Sequence, residues 1–254
     1  MAPPEPDRAE ICRRFGIDAA DIPRHVALIL DGNGRWAARR GLHRTEGHRR
    51  GEPALWDVVE GALALGIEWM TVYVFSTENW NRPEEEVEFL LWFNRDILLR
   101  RREECLRKEI RIRFMGRRSR PVPKALVDTI AESEALTGRC RRLNLTFAFN
   151  YGGRAEIVDA VREIAALAVA GEIDPRRISE RTIARHLYVP EMPDPDLLVR
   201  SSGEMRISNF LLWQSAYTEF LFPRRLWPDF RRRHLYEAVA RYQNRERRYG
   251  GVID

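Results

Sequence analysis

Six short apolar runs, separated by stretches with helical periodicity, constrain the fold of this chain more than any other feature. Residues 25–31, 69–75, 110–114, 143–149 and 196–200 are rich in Val, Ile, Leu and aromatics, and 218–222 makes a sixth run. Several are nearly continuous in apolar residues, which fits strands buried on both faces. Between them, Ala54, Leu55, Val58, Val59, Ala62 and Leu63 fall on one helical face, as do Val87, Leu90, Leu91, Phe93, Asn94 and Ile97 further on. Stretches 155–170 and 231–247 read as two more helices. This alternation predicts an α/β fold with a mostly parallel central sheet of about six strands flanked by helices, without internal repeat or interior linker. With 254 residues, 44% of them hydrophobic, the chain can bury one large core. Residues 23–254 are therefore expected to form a single domain, and 1–22, rich in Pro and charge, a flexible lead-in, either a mobile arm or a short helix.

Sheets of this kind bind ligands beyond the carboxyl ends of their strands. Asp31 ends the first run and leads into Gly32-Asn33-Gly34-Arg35-Trp36, a turn whose backbone N–H groups can face an anion. The Gly-x-Gly-x-x-Ala spacing also meets the loose dinucleotide fingerprint. That reading needs an acid ending the second strand, where Phe75 and Ser76 stand. A carboxylate just before the cradle would also repel a pyrophosphate unless a divalent cation lay between, and Mg²⁺ bound by one or two carboxylates plus phosphate oxygens suits the arrangement. The plainer alternative is that Asp31 only caps a helix.

The second run opens into the polar loop Ser76-Thr77-Glu78-Asn79-Trp80-Asn81-Arg82-Pro83, with an exposed-looking Trp80. Arg44 and His48 begin another helix, where a basic residue is unfavourable unless an anion binds there. The fifth run is followed by Arg200, Arg206 and Ser208 in a stretch with two Arg and three Ser, the composition of a second diphosphate site. The strand ends thus offer Arg35, Arg44, Arg82, Arg200, Arg206, His48 and Ser208 to anions, and Asp31 with Glu219 to a metal. No Walker motif, zinc-ligand spacing or serine-histidine-carboxylate order competes.

Lys and Arg number 43 against 38 Asp and Glu, a net charge of +5 that attracts anions only mildly. Nucleic-acid binding has no recognised module or basic aromatic stripe behind it. Cys12, Cys105 and Cys140 show no Cys-x-x-Cys spacing and fit a reducing compartment. The first residues carry acids and no apolar core of a secretory signal, and no apolar stretch is long enough to span a bilayer. A cytoplasmic location, with peripheral membrane contact at most, is the expectation.

Taken in order, HVALILDGNGRWA, RGLHRTEGH, FSTENWNRP, NYGGR, LLVRSSGEMRISNFLLWQSAYTEF, LWPDF and NRERRYGG resemble the cis-prenyltransferase (undecaprenyl diphosphate synthase) family from about residue 23 to 251. The resemblance implies a hydrophobic tunnel, a homodimer, and Mg²⁺-dependent condensation of isopentenyl diphosphate onto a geranyl, farnesyl or geranylgeranyl diphosphate primer. The family's usual product is a long-chain lipid carrier for cell-wall sugars. By motif, Asp31 resembles the essential metal-binding carboxylate, and Glu219 a second metal contact often supplied by the partner subunit. Gly32, Asn33, Gly34, Arg35, Trp36, Arg44 and His48 match the allylic pocket, and Arg200, Arg206, Ile207 and Ser208 the isopentenyl diphosphate pocket. Ser76, Thr77, Glu78, Trp80 and Arg82 match a mobile loop linking the two substrates. Asn79 matches the residue given as proton acceptor, although a neutral amide is a poor base and a diphosphate oxygen or water is the better acceptor. The sequence has no Asp-Asp pair, the mark of the trans enzymes. Val74 and Phe149 stand where many long-chain members carry smaller residues, so both are expected to face or adjoin the tunnel, with a shorter product as the alternative. A non-catalytic partner subunit, the other alternative, should lack Asp31 or the 200–208 cluster, and this chain keeps both.

Overall fold

Each apolar run becomes a strand: β1 (His25–Ile29), β2 (Trp69–Ser76), β3 (Ile110–Met115), β4 (Leu143–Tyr151), β5 (Leu197–Arg200) and β6 (Glu219–Leu221). The structure is a computed structural model and describes residues 7–244. The strands form one sheet in the order β3-β4-β2-β1-β5-β6, with every pairing parallel. The helices are α1 (Arg8–Phe15), α2 (Asn33–Ala38), α3 (Arg44–Leu65), α4 (Glu84–Arg107), α5 (Lys124–Thr137), α6 (Gly153–Val169), α7 (Glu180–Arg185) and α8 (Arg232–Gln243). Because β1 leads to β2 on one side and receives β5 on the other, the sheet has a switch point at the carboxyl end of β1, where a crevice is expected.

Strand alternation divides the apolar residues between two cores. Val26 and Leu28 of β1 join the larger one with residues from α1, α3, α4, α5 and α8, while Ala27 and Ile29 join a smaller one with Val189, Met192, Phe210 and Leu211. The described part of the lead-in carries a helix. Residues 8–15 form α1 and bury Ile11 and Cys12, with Ile17 just beyond, in the larger core. Its apolar residues are few but fall together, so the part of 1–22 that is described belongs to the domain rather than to a flexible arm. At the other end α8 stops at Gln243, and the rest of the predicted 231–247 helix, like the NRERRYGG segment after Asn244, lies outside the described residues.

The carboxyl end of β2 carries a local irregularity. Tyr73 pairs with Ala148, Phe75 with Phe149 and Ser76 with Tyr151, so Val74 has no ladder partner. Such a bulge re-aims side chains, and here Val74 and Phe75 both turn towards the larger core. No helix among the described residues is long and apolar enough to cross a membrane.

Candidate active site

A cavity of about 580 Å³ opens at the carboxyl ends of β1 and β2 and runs between α3 and α4. Its mouth is polar and its shaft apolar, the latter formed by Leu55, Leu90, Phe93, Ile97, Val74 and Phe75. That volume lies within the range for small-molecule sites.

Asp31 sits at the mouth, one side of its carboxylate fully engaged. Its Oδ2 accepts from Arg200 Nη2 (2.8 Å) and Nε (3.2 Å), from Ser202 Oγ (2.9 Å) and from Arg35 Nη2 (3.1 Å). Among the described residues, no hydrogen bond is made to Oδ1. Burial pushes the Asp31 carboxyl up, but the Arg200 and Ser202 hydrogen bonds and the charges of Arg200 and Arg35 together hold it below its ordinary value. Arg200 is buried, and its Nη1 also donates to Ser208 Oγ (2.7 Å) and to the Arg206 carbonyl (2.5 Å). The backbone is fixed as well: Asp31 N–H donates to Ser201 Oγ (2.9 Å), and the Trp227 N–H donates to the Asp31 carbonyl (3.0 Å).

Gly32, at φ 105°, turns the chain into α2, whose first backbone N–H groups have no partner within their own helix. Gly32, Asn33 and Gly34 all line the cavity. The turn is pinned by α3: a Cβ on Gly47 would lie 2.0 Å from the Asn33 carbonyl oxygen, so only glycine lets the two helices meet there. Arg44 lies over Gly34, where an added Cβ would sit 3.5 Å from Arg44 Nε. Arg44, Arg82 and His48 gather around Glu86, which the sequence reading did not single out: Arg82 Nη1 is 2.7 Å, Arg44 Nε 3.3 Å and His48 Nε2 3.9 Å from its Oε1. Burial first, then the charges of Arg82 and Arg44, pushes His48 down to about 4, so its imidazole is neutral.

In the loop after β2, residues 77–81 form a turn of 3₁₀ helix. Asn79 Oδ1 accepts from the Ser76 N–H (3.0 Å), and Ser76, Glu78, Asn79 and Arg82 line the cavity. Glu78 Oε1 accepts from Asn209 Nδ2 (2.8 Å), a cavity-wall amide that the sequence reading also missed. Trp80 is not exposed. Its ring meets Phe75 edge-on at 5.1 Å and its Nε1 donates to Asn150 Oδ1 (2.8 Å).

Several expected site residues stand off the cavity wall. Trp36 is buried against Leu226, donates through Nε1 to Asp229 Oδ1 (2.9 Å) and carries Arg40 stacked on its ring at 4.0 Å. Ile207 packs into the smaller core, because its neighbours Phe210 and Leu211 carry that segment beneath the sheet. Thr77 faces Gly152. Arg35 and Arg206 are drawn to Glu204, Arg35 at 3.1 Å. Phe149 lies behind Phe75, ring centroids 5.3 Å apart, and so does not face the shaft, whereas Val74 does.

Glu219 is placed by strand register. It pairs with Leu197, which pairs with Val26, so it stands level with the start of β1. Asp31 lies five residues further along, a separation of about 16 Å at the rise of a strand. Within one chain the two carboxylates cannot share a metal, and among the described residues no three His, Cys, Asp or Glu side chains converge. The donor chemistry at Asp31 nevertheless fits Mg²⁺, which takes one or two carboxylates and completes its shell with water and phosphate. The Asn33 Oδ1 is buried without a hydrogen-bond partner near the same mouth, a second hard oxygen with capacity to spare.

An arginine-lined polar mouth, a glycine turn and an apolar shaft define a site for a molecule with an anionic head and a hydrocarbon tail. Residues 29–250 match the family model described as "Putative undecaprenyl diphosphate synthase". The chain is 54% identical over 231 residues to the trans,polycis-polyprenyl diphosphate synthase ((2Z,6E)-farnesyl diphosphate specific) of Thermobifida fusca, covering 91% of this chain and 82% of that protein. It is 52% identical over 236 residues to the decaprenyl diphosphate synthase of Mycobacterium leprae, covering 93% and 79%. The crystal structure of lavandulyl diphosphate synthase from Lavandula x intermedia in complex with dimethylallyl diphosphate superposes with a TM-score of 0.88 at 38% identity, over 91% of this chain and 99% of that one. The chain belongs to the undecaprenyl diphosphate synthase family of cis-prenyltransferases and is an enzyme of cis-prenyl chain elongation. That family uses isopentenyl diphosphate and allylic diphosphates.

Proposed function

We propose that this enzyme adds isopentenyl diphosphate units to a farnesyl-type primer at the mouth of the cavity, and that the growing chain descends the shaft to give a long-chain polyprenyl diphosphate. The observation that carries the reading is the Asp31–Arg200 pair beside the Gly32–Gly34 turn, at the point where the apolar shaft begins. Gly32, Asn33, Gly34 and Arg44, joined by Arg82 from the wall loop, hold the allylic diphosphate, and Arg200 with Ser208 the isopentenyl diphosphate. Arg35 and Arg206 reach the same anions when released from Glu204, and Ser76, Glu78 and Arg82 close the wall between the two substrates.

Asp31, with substrate oxygens and water, would hold Mg²⁺, which supplies charge neutralisation at the departing diphosphate. Glu219 serves as a metal contact only from the partner of a homodimer. The arginines stabilise negative charge as the allylic C–O bond breaks and the double bond of isopentenyl diphosphate attacks the allylic carbon. Loss of a proton then sets the new cis double bond. Asn79, its carbonyl oxygen held by the Ser76 N–H, orients this step while a diphosphate oxygen takes the proton.

Purified protein incubated with farnesyl diphosphate, labelled isopentenyl diphosphate and Mg²⁺ should yield metal-dependent products of about ten units, the length in the name of the Mycobacterium leprae relative. Incorporation that ignores metal removal overturns the role given to Asp31, and products stopping after one or two additions overturn the open shaft.

A further inference from the structure

Helix α4 begins with three consecutive acids, Glu84, Glu85 and Glu86. Acids in a first turn favour the positive end of a helix, and the exposed Glu84 and Glu85 meet that need from solvent. Glu86 is different: only 6% of it is exposed, where a carboxylate is costly unless well paired. Its pairing is lopsided. Arg82, Arg44 and His48 all approach Oε1, while Oε2 is buried with no hydrogen-bond partner. Buried polar atoms in a purely structural contact are almost always satisfied. With His48 neutral, the cluster holds two cations and one anion, so it keeps a net positive charge against the glycine turn.

We propose that Glu86 is a positioning residue that acts as a resident counter-anion, presetting Arg44 and Arg82 as a pair and competing with the allylic diphosphate for them. The inference rests on the reading that these two arginines take that diphosphate. Arg44 comes from α3 and Arg82 from the loop after β2, and without a shared anion their like charges would drive them apart. Presetting them reduces the reorganisation needed when a diphosphate arrives. Competing with it loosens the grip, which a chain-extending enzyme needs, because the diphosphate head must be handed on after every addition.

The opposing signs make this testable by titrating inorganic pyrophosphate, with Mg²⁺, into the full-length protein and into Glu86→Gln, Glu86→Asp and Arg82→Ala. Glu86→Gln keeps the shape and one acceptor but removes the charge. It should bind pyrophosphate roughly three- to ten-fold more tightly, the scale on which one nearby charge acts across a partly solvated site, with a lower KM for farnesyl diphosphate and a lower kcat as release slows. Glu86→Asp keeps the charge and should stay near the wild type, which holds the test open even if the Gln variant folds poorly. Equal or weaker pyrophosphate binding by a folded Glu86→Gln overturns the inference while leaving the diphosphate site standing. Unchanged binding by Arg82→Ala would remove the site reading itself, and the role of Glu86 with it.

Discussion

Two carboxylates, one half-buried beyond the end of β1 and one buried on α6, show how the same chemistry is put to different ends. At the cavity mouth, Asp31 meets two guanidinium groups and a hydroxyl on one oxygen, and its carboxyl is held low. Away from the mouth, Glu156 of α6 meets only neutral donors: Tyr151 OH (2.7 Å) and Gln214 Nε2 (3.1 Å) on Oε2, and the Tyr188 N–H (3.1 Å) on Oε1. Burial therefore dominates there and raises the Glu156 carboxyl despite those hydrogen bonds. One group is surrounded by more positive charge than it neutralises and keeps an oxygen for something else. The other has both oxygens occupied and nothing left to offer. A site is recognisable by that surplus, and closed packing by its absence.

The largest expected effect tests the surplus itself. Asp31→Ala should lower incorporation of labelled isopentenyl diphosphate by roughly 10²–10³-fold, the loss expected for a principal electrostatic stabiliser, while circular dichroism shows the fold retained. Near-wild-type turnover would erase the distinction between the two carboxylates.

The same contrast, open against filled, separates two side chains that the sequence reading grouped together. Phe149→Ala removes a ring packed on every side and should cost about 3 kcal/mol in urea unfolding, with product length unchanged. Val74→Ala enlarges the shaft and should lengthen the product distribution by one or more units at little cost in stability. Longer products from Phe149→Ala, with Val74→Ala silent, would reverse the assignment.

The smallest effect sharpens the comparison through pH. The folded Glu156 carboxyl holds its proton above the ordinary value of 4.5, so the native state binds more protons there than the unfolded chain does, and stability drains away as pH rises from that point. Asp31 gives the opposite slope: its contribution is present above 3.8 and is lost as pH falls into the acid range. Glu156→Gln should flatten the fall in urea midpoint as pH rises above 4.5. An unchanged slope would mean that Glu156 is already ionised in the folded protein.

The sheet was legible because buried parallel strands are written as apolar runs, and all six were found to within a few residues. Helix α5 was not, since its buried residues, Leu126, Thr129, Ile130, Ser133 and Thr137, include three hydroxyls that bond to the backbone, such as Ser133 Oγ to the Thr129 carbonyl at 2.7 Å. Polar residues satisfied this way leave no apolar stripe to read. At the site, residues that touch the cavity through their own motif were legible, from Asp31 to Ser208. Trp36 and Ile207 were misplaced because membership of a motif says nothing of which way a side chain turns. Glu86 was hidden among three acids, although its position four residues after Arg82 was a usable sign. The separation of Glu219 from Asp31 follows from strand register, which no linear motif encodes.

The unpaired Val74 has a consequence for descent with modification. Its backbone has no ladder partner and its side chain lines the shaft, so an exchange there is expected to bear on the shaft more than on the strand pairing. Valine and alanine codons differ by one nucleotide. If Val74→Ala lengthens the product, a single base change is enough for a lineage to retune chain length, and natural variants at this position should differ in product while folding alike.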